Sequence, residues 1–259
     1  MKQFFFTIDC DWIPGSEKGL KGLLEISKEL ELKATLFVVG RFALSYPRIL
    51  KEAVDDYRCE VGNHGWEHGL KTDENYWSTS YEQQKKWIEL STQAIEKITG
   101  KKPFAFRAPN LRISETLFSV LEETGYLFDS SVPARRFDYY KVGVSYFNAP
   151  LCPYFPKNSR VLEVPPSAYF IPFNMSGLRR FGLGIFKLII KKLEKKSPIL
   201  VFYCHPSEFT NLKDLSLPPD EDTHFLKKMG PENFSLLREL LNFIMSRGYI
   251  SSFISEAKI

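Results

Sequence analysis

Short runs of β-branched and aromatic residues alternate along the chain with stretches that repeat apolar positions at helical spacing. The predicted strands cover residues 4–8, 34–39, 59–62, 104–106, 127–128 and 249–254, with two more ending near 164 and 203. The predicted helices cover residues 19–31, 43–55, 80–99, 114–124, 178–196 and 231–247. This alternation predicts an α/β protein built on a parallel sheet or barrel.

Proline and glycine residues mark the ends of the predicted helices and strands and are not gathered in linkers. Gly100 ends the third helix, and Pro165 with Pro166 ends a strand. No repeat or low-complexity tract divides the chain, so residues 1–259 are predicted to form a single domain. An insertion at 132–156 is rich in aromatic rings, which could line a sugar platform or pack together as a lid. These rings are Phe137, Tyr139, Tyr140, Tyr146, Phe147, Tyr154 and Phe155.

Composition and charge narrow the class of protein. Hydrophobic residues make up 44 % of the chain, which is ample for a sizeable core. The 35 basic and 31 acidic side chains leave a formal charge of +4, too small and too dispersed to predict a nucleic-acid partner. The four cysteines form no C-x-x-C pair, so neither a thiolate zinc site nor a disulfide framework is indicated.

The apolar run at residues 3–8 is too short for a signal peptide, and no segment approaches the roughly 20 apolar residues that cross a bilayer. A cytoplasmic protein is therefore expected. The sequence leaves self-association into a homo-oligomer open.

Polar residues follow the ends of the predicted strands, where the loops of a barrel converge on one mouth. Asp9 and Asp11 are two apart at the end of an extended run, so their side chains face the same way. Two close carboxylates are costly unless a cation neutralises one and leaves the other as a base. A pair of turn-forming aspartates at a strand end is the alternative.

His64 and His68 have the i, i+4 spacing that lets two imidazoles meet one ion if the backbone turns helically between them. The nearby Gly65 and Gly69 indicate a loop whose backbone approaches something closely. A lone H-x-x-x-H pattern is also typical of partly exposed helical histidines. Combination with Asp11 favours a metal site.

His205 follows the apolar run 199–204 and precedes Pro206, which places it at the rim of a strand. Histidine supplies the proton donor that a hydrolytic site needs near neutral pH, and a core histidine with satisfied hydrogen bonds is the alternative. The remaining histidine, His224, lies in a polar stretch and is interpreted as a solvated loop residue.

Two further charged residues stand close to strand ends. Arg107, in Phe-Arg-Ala-Pro-Asn, could hold Asp9 ionised through a bidentate pair. Asp129, in Phe-Asp-Ser-Ser, could orient or tune His205, and a helix N-cap or turn explains it equally well.

With these residues in place, the chain resembles the polysaccharide deacetylase family, the NodB-type carbohydrate esterases of family 4. The resemblance runs from residue 7 to about residue 209 through five ordered motifs. In order they are Thr-Ile-Asp9-Cys-Asp11, Gly-Asn-His64-Gly-Trp-Glu-His68, Phe-Arg107-Ala-Pro-Asn, Tyr-Leu-Phe-Asp129-Ser-Ser and Phe-Tyr-Cys-His205-Pro. The fold that this resemblance implies is a distorted (β/α) barrel of about seven strands.

The resemblance also implies roles for individual residues. The implied roles are catalytic base for Asp9, partner of the base for Arg107, acid for His205, and metal ligands for Asp11, His64 and His68. Trp66, Asn110 and Asp129 lie in the same motifs and are expected to bind substrate. Cys10 separates aspartates that most of the family has adjacent, which resembles the branch of allantoinase-like enzymes and certain peptidoglycan deacetylases. The fourth motif lacks the Asp-Trp pair of the larger branch.

The expected reaction is metal-dependent removal of an N-acetyl group from an amino sugar, with Asp9 taking the proton of water and His205 protonating the departing amine. Zinc suits the ligand set, which also admits cobalt, manganese or iron. The expected partner is an N-acetylated sugar of a cell-surface glycan, or its lipid- or nucleotide-linked precursor. Hydrolysis of a small cyclic amide or ureide is one alternative. A non-catalytic carbohydrate-binding module is another, although it would need neither a base nor an acid.

Residues 178–196 are predicted to form a basic amphipathic helix. Its predicted apolar face consists of Phe181, Ile185, Leu188, Ile189 and Leu193, and its charged face of Arg180, Lys187, Lys191, Glu194 and Lys195. Such a helix could make peripheral contact with an anionic membrane. A helix packed on the sheet with a solvated basic face is the alternative.

Overall fold

The framework of the protein is a curled sheet of parallel strands, described by a computed structural model for residues 1–69, 74–136, 146–217 and 228–259. The predictions made for Phe137, Tyr139, Tyr140 and His224 lie outside the described residues. The strands are β1 (Gln3–Cys10), β2 (Ala34–Val38), β3 (Glu60–Asn63), β4 (Ala105–Phe106), β5 (Phe128–Asp129), β6 (Leu162–Glu163), β7 (Ala168–Tyr169), β8 (Ile171–Pro172), β9 (Ile199–Cys204) and β10 (Ile250–Ser251). The helices are α1 (Glu17–Glu29), α2 (Gly40–Ser45), α3 (Pro47–Asp55), α4 (Tyr81–Thr99), α5 (Leu117–Glu123), α6 (Met175–Leu193) and α7 (Asn233–Ser246).

Seven of the strands run parallel in the spatial order β9, β1, β2, β3, β4, β5, β6. The short β10 pairs with the first residues of β1, and β7 and β8 form a separate antiparallel hairpin. After β6 the chain returns to the free edge of β9, where the Ser167 N–H donates to the Val201 carbonyl at 3.1 Å. The seven parallel strands curl into a half-barrel, which confirms the predicted distorted (β/α) barrel of about seven strands.

Alternation along β1 divides the apolar core into two layers. Phe4, Phe6 and Ile8 point outward and pack under the surrounding helices. Phe5 points inward and meets residues of other strands, among them Phe37. Burying a side chain of this size stabilises the fold by about 1.5–3 kcal/mol. The inner layer closes the bottom of the barrel, so polar residues further along the strands collect at the opposite end.

Several predicted boundaries differ from the structure. The helix predicted at 43–55 is two helices, because Pro47 restricts Tyr46 to a non-helical conformation and starts α3 at its first position. The helix predicted at 178–196 begins three residues earlier, at Met175, and is kinked at Gly182, where φ is 78°. The strand predicted at 249–254 shortens to Ile250–Ser251. Among the described residues, no helix is both long and apolar enough to cross a bilayer.

Candidate metal centre and catalytic cavity

The carboxyl ends of β1, β3, β4 and β9 meet at one mouth, because all four strands run in the same direction. There Asp9, Asp11, His64, His68 and His205 converge on a cavity of about 240 Å³. These five residues come from three segments that are far apart in the sequence. The structure therefore brings together the candidate acid, the candidate base and all three candidate metal ligands.

Asp11, His64 and His68 have the geometry of a three-ligand metal site. Asp11 Oδ1 lies 3.5 Å from Nε2 of His64 and 3.9 Å from Nε2 of His68, and the candidate ligand atoms all lie within 4.8 Å of one another. An ion bound tetrahedrally at about 2.0–2.2 Å spaces its ligand atoms by about 3.3–3.6 Å. Asp11 Oδ1 is also buried without a hydrogen-bond partner among the described residues. A divalent cation would satisfy this otherwise costly atom.

Both imidazoles are in the neutral form that a metal requires. Burial lowers the pKa of His64 to about 4 and that of His68 to about 3. The Nδ1 atom of His64 lies 2.7 Å from the carbonyl oxygen of Arg107, which can only accept a hydrogen bond. The proton of His64 is therefore on Nδ1, and Nε2 presents its lone pair toward Asp11.

The two histidines are joined by a loop and not by a helical turn. Gly65 takes a positive φ of 89°, and a Cβ there would meet Glu74 Oε1 at 2.6 Å. Glu74 accepts hydrogen bonds from the backbone N–H groups of Trp66 and Glu67, both at 2.7 Å. This buried carboxylate therefore fixes the loop that carries His68, and glycine is required for its close approach.

Asp9 and Arg107 form a buried ion pair below the metal-site residues. Arg107 Nη1 donates to Asp9 Oδ1 at 2.7 Å and to Thr7 Oγ1 at 2.8 Å. The other guanidinium nitrogens donate to Ser130, so the pair with Asp9 is monodentate and not bidentate as predicted. The guanidinium also lies 4.2 Å from the centre of the Phe37 ring. Arg107 thus holds Asp9 at the floor of the cavity.

His205 is held by a residue that the sequence motifs did not single out, Glu208. The carboxylate of Glu208 accepts the backbone N–H of His205 at 2.8 Å and lies 3.2 Å from His205 Nδ1. Because an ionised carboxylate only accepts, Nδ1 carries a proton and Nε2 points to the cavity, 3.9 Å from Asp11 Oδ2. The His-Pro-Ser-Glu run, with glutamate three residues after His205, was a capping-box signal for this contact.

The charges around His205 shift its protonation. Burial opposes the charged imidazolium, but Asp11 and the hydrogen-bonded Glu208 raise the pKa of His205 to about 10. Burial likewise opposes ionisation of Glu208, but His205 and Arg179 hold its pKa below the usual range. Burial raises the pKa of Asp11 to about 7, against the effect of His205 and together with that of Asp9. Without a cation, His205 carries a proton that it can donate.

Only one of the three predicted substrate-binding residues lines this cavity. Asn110 does so, with the backbone in the left-handed region at φ 56°. Trp66 instead packs against Gly40. Further lining residues that sequence reasoning missed are Leu111, Arg136, Asn174 and Tyr203. Of these, Arg136 donates to the hydroxyl of Tyr203 at 3.2 Å.

Asp129 lies on the outer side of the sheet, away from the cavity. Its neighbour Ser130 faces inward to Arg107, so alternation along the strand turns Asp129 outward. Asp129 Oδ1 accepts a hydrogen bond from the Ser131 hydroxyl at 2.7 Å. The carboxyl group of Asp129 is also hydrogen-bonded to that of Glu163, the residue opposite it in the pairing of β5 with β6. The predicted contact between Asp129 and His205 is absent among the described residues, and Glu208 occupies that role.

Comparison with known proteins places this barrel and its site in a family. Residues 2–128 match the sequence profile described as polysaccharide deacetylase. The peptidoglycan deacetylase of Helicobacter pylori is 30 % identical over 128 residues, which are 49 % of this chain and 42 % of that protein. The matched segments span 22 % to 44 % of the lengths of the curated relatives.

Solved structures of family 4 carbohydrate esterases share the fold over nearly the whole chain. A pseudoenzyme from Bacillus anthracis superposes with a TM-score of 0.62 at 18 % identity, covering 99 % of this chain and 65 % of that one. An acetyl xylan esterase from Clostridium thermocellum, solved with a cobalt ion, superposes with a TM-score of 0.56 at 19 % identity, covering 98 % and 89 %. The fold and site define a barrel with a candidate hydrolytic centre. Residues 2–128, about half of the chain, are similar to the polysaccharide deacetylase family, and the fold is that of solved family 4 carbohydrate esterases.

Proposed function

We propose that this protein is a metal-dependent deacetylase that hydrolyses the N-acetyl amide of an amino sugar in a glycan or glycan precursor. The observation that carries the proposal is the convergence of Asp11, His64 and His68 beside Asp9 and His205 in one cavity. A binding module would need no such combination of base, acid and metal ligands. This combination is our reason for preferring catalysis, although a structural neighbour is described as a pseudoenzyme.

In this proposal Asp11, His64 and His68 hold a divalent cation, and zinc fits one carboxylate and two imidazoles best. A cation bound there would polarise the acyl oxygen and lower the pKa of water. Cobalt, manganese and iron accept the same ligands, so metal analysis decides between them.

The other residues move protons. Asp9 accepts the proton of the attacking water, and its ion pair with Arg107 orients the carboxylate. His205 donates a proton from Nε2 to the departing nitrogen as the C–N bond breaks, because the nitrogen would otherwise leave as a strongly basic anion. Glu208 fixes the ring of His205 through Nδ1, so the acid presents the correct nitrogen to the cavity. Acetate and a free amino sugar are the products.

The surroundings of the site support a glycan over a small cyclic amide. The catalytic cavity has room for one sugar unit, and Asn110 also lines a neighbouring cavity of about 350 Å³. That second cavity includes Trp77, whose flat ring is suited to stacking on a pyranose. We propose that an adjoining sugar occupies it. Apart from the separation of Asp9 and Asp11 by Cys10, no feature of the described residues favours the cyclic-amide alternative.

The four cysteines are all free thiols, which supports a reducing, cytoplasmic compartment. In that compartment the substrate would be a lipid- or nucleotide-linked precursor of a surface glycan. This assignment is separate from the chemistry of the site.

The test is acetate release from a panel of N-acetylhexosamine donors, namely free oligosaccharides, nucleotide-linked sugars and lipid-linked sugars. The wild-type protein is expected to release acetate, to lose activity on chelation, and to recover it when a divalent metal is restored. Ring opening of an allantoin-like amide is measured in parallel. Ring opening without acetate release from any donor would contradict the proposal.

A further inference from the structure

The outer surface of α6 carries a concentration of positive charge. Six cations lie on or directly after this helix: Arg180, Lys187, Lys191, Lys192, Lys195 and Lys196. None of the six forms an ion pair with any residue in the described ranges. The acidic residue of this stretch, Glu194, is already neutralised by Arg247 at 2.5 Å and Lys2 at 3.5 Å. The surface therefore lacks compensating negative charge.

Exposed apolar side chains lie among these cations. Ile185 is 45 % exposed and Leu188 is 57 % exposed, on the straight part of the helix after the Gly182 kink. Phe181, 40 % exposed, lies just before the kink. The sequence predicted these residues on one face with Ile189 and Leu193, but the latter two are buried against the barrel. The helix is thus apolar on two sides, one toward the core and one toward solvent.

We propose that this outer face of α6, defined by Phe181, Ile185, Leu188 and the six cations, docks on an anionic lipid bilayer. Apolar side chains flanked by lysine and arginine are the pattern of helices that lie in the membrane interface. Lysine stems extend along an apolar surface while their ammonium groups reach lipid phosphates. A second copy of this chain would set like charges against each other, so self-association through this face is disfavoured.

The position of α6 gives this docking a consequence for the cavity. Asn174 caps the start of α6 by accepting the N–H of Gly177 at 2.8 Å, and it also lines the catalytic cavity. Phe181 lies about two turns further along the helix. A membrane bound at this face therefore lies near the cavity mouth. The inference does not depend on the proposed deacetylase activity, because lipid binding is measured without turnover.

The test is co-sedimentation with vesicles of phosphatidylcholine alone and of phosphatidylcholine mixed with phosphatidylglycerol. The wild-type protein is expected to bind the anionic vesicles and not the neutral ones. Each cation near an anionic surface changes affinity about fivefold, so Lys192→Glu with Lys195→Glu should weaken binding by at least about 25-fold. Ile185→Ser with Leu188→Ser should also weaken it, since apolar insertion is lost.

The matched control is Lys51→Glu with Lys97→Glu, which makes the same charge change at exposed lysines on α3 and α4. Thermal unfolding of every variant confirms that it is folded. Failure of the wild-type protein to bind anionic vesicles at low salt would overturn the proposal. So would equal loss in the control pair, or unchanged binding in the serine variant, which would show that the apolar side chains take no part and that the contact is electrostatic only.

Discussion

Replacing Glu208 by glutamine tests whether this residue positions the proposed acid. Both carboxylate oxygens of Glu208 face donors: one receives His205 at its backbone N–H and Nδ1, and the other receives Ser176 at 2.7 Å and Arg179 at 3.0 Å. Glutamine keeps one oxygen and replaces the other with an amide nitrogen that donates. In Glu208→Gln the amide nitrogen, itself a donor, therefore faces the donors on one side of the residue, and the negative charge is lost.

The expected magnitude follows from these contacts. A hydrogen bond to a charged group contributes about 1.5–3 kcal/mol, and if the contact with His205 is needed in the transition state, kcat falls by about 10- to 150-fold. KM should change little, because Glu208 does not line the cavity. Metal content should also be unchanged, since the predicted ligands are elsewhere.

The assay is steady-state acetate release with metal content measured on the same preparations. Glu194→Gln is the matched control, because Glu194 is also bonded to an arginine but lies far from the cavity. It should leave kcat and KM at wild-type values. A Glu208→Gln variant with normal kcat would refute the positioning role, and so would a loss of activity explained entirely by lost metal or by unfolding.

Two further substitutions test the buried polar groups. Arg107→Met leaves Asp9 as a buried, uncompensated charge, so the free energy of unfolding in urea should fall by about 3–5 kcal/mol, whereas Arg160→Met at an exposed site should change it little. Equal stability of the two variants would contradict the burial argument. Burial and Asp129 raise the pKa of Glu163 well above its usual 4.5, so folding takes up a proton and stability falls as pH rises above about 4.5, by up to about 1.4 kcal/mol per pH unit. Glu163→Gln mimics the protonated form and should be more stable than the wild type at about pH 8, with a shallower pH dependence; a less stable variant at that pH would show this reasoning to be wrong.

The barrel and most of the site could be predicted because they depend on residue patterns within short segments of the sequence. Each βα unit shows its own pattern of apolar and polar residues and its own turn residues. Parallel strands bring their carboxyl ends together whatever their separation along the chain. Asp9, Asp11 and His205 all stand at such ends, so their convergence followed from the fold class. Their chemical roles are proposals that rest on this convergence.

The remaining features depend on contacts that a linear pattern does not carry. Asp129 looked like a partner for His205, but the alternation set by Ser130 turns it outward to Glu163. Glu208 lies three residues after His205, but it belongs to none of the five motifs, so the motifs alone did not indicate its contact with the imidazole. Arg136 and Asn174 reach the cavity because the chain after β6 returns to β9. The order of the strands along the sequence does not predict this return.

The account depends most directly on one cation held by Asp11, His64 and His68. The decisive measurement is the metal content of purified protein by elemental analysis, compared between wild type, His64→Ala and Asp9→Asn. The account predicts about one divalent ion per chain in the wild type and in Asp9→Asn, and none in His64→Ala. Full metal content in His64→Ala, or none in the metal-supplemented wild type, would contradict it.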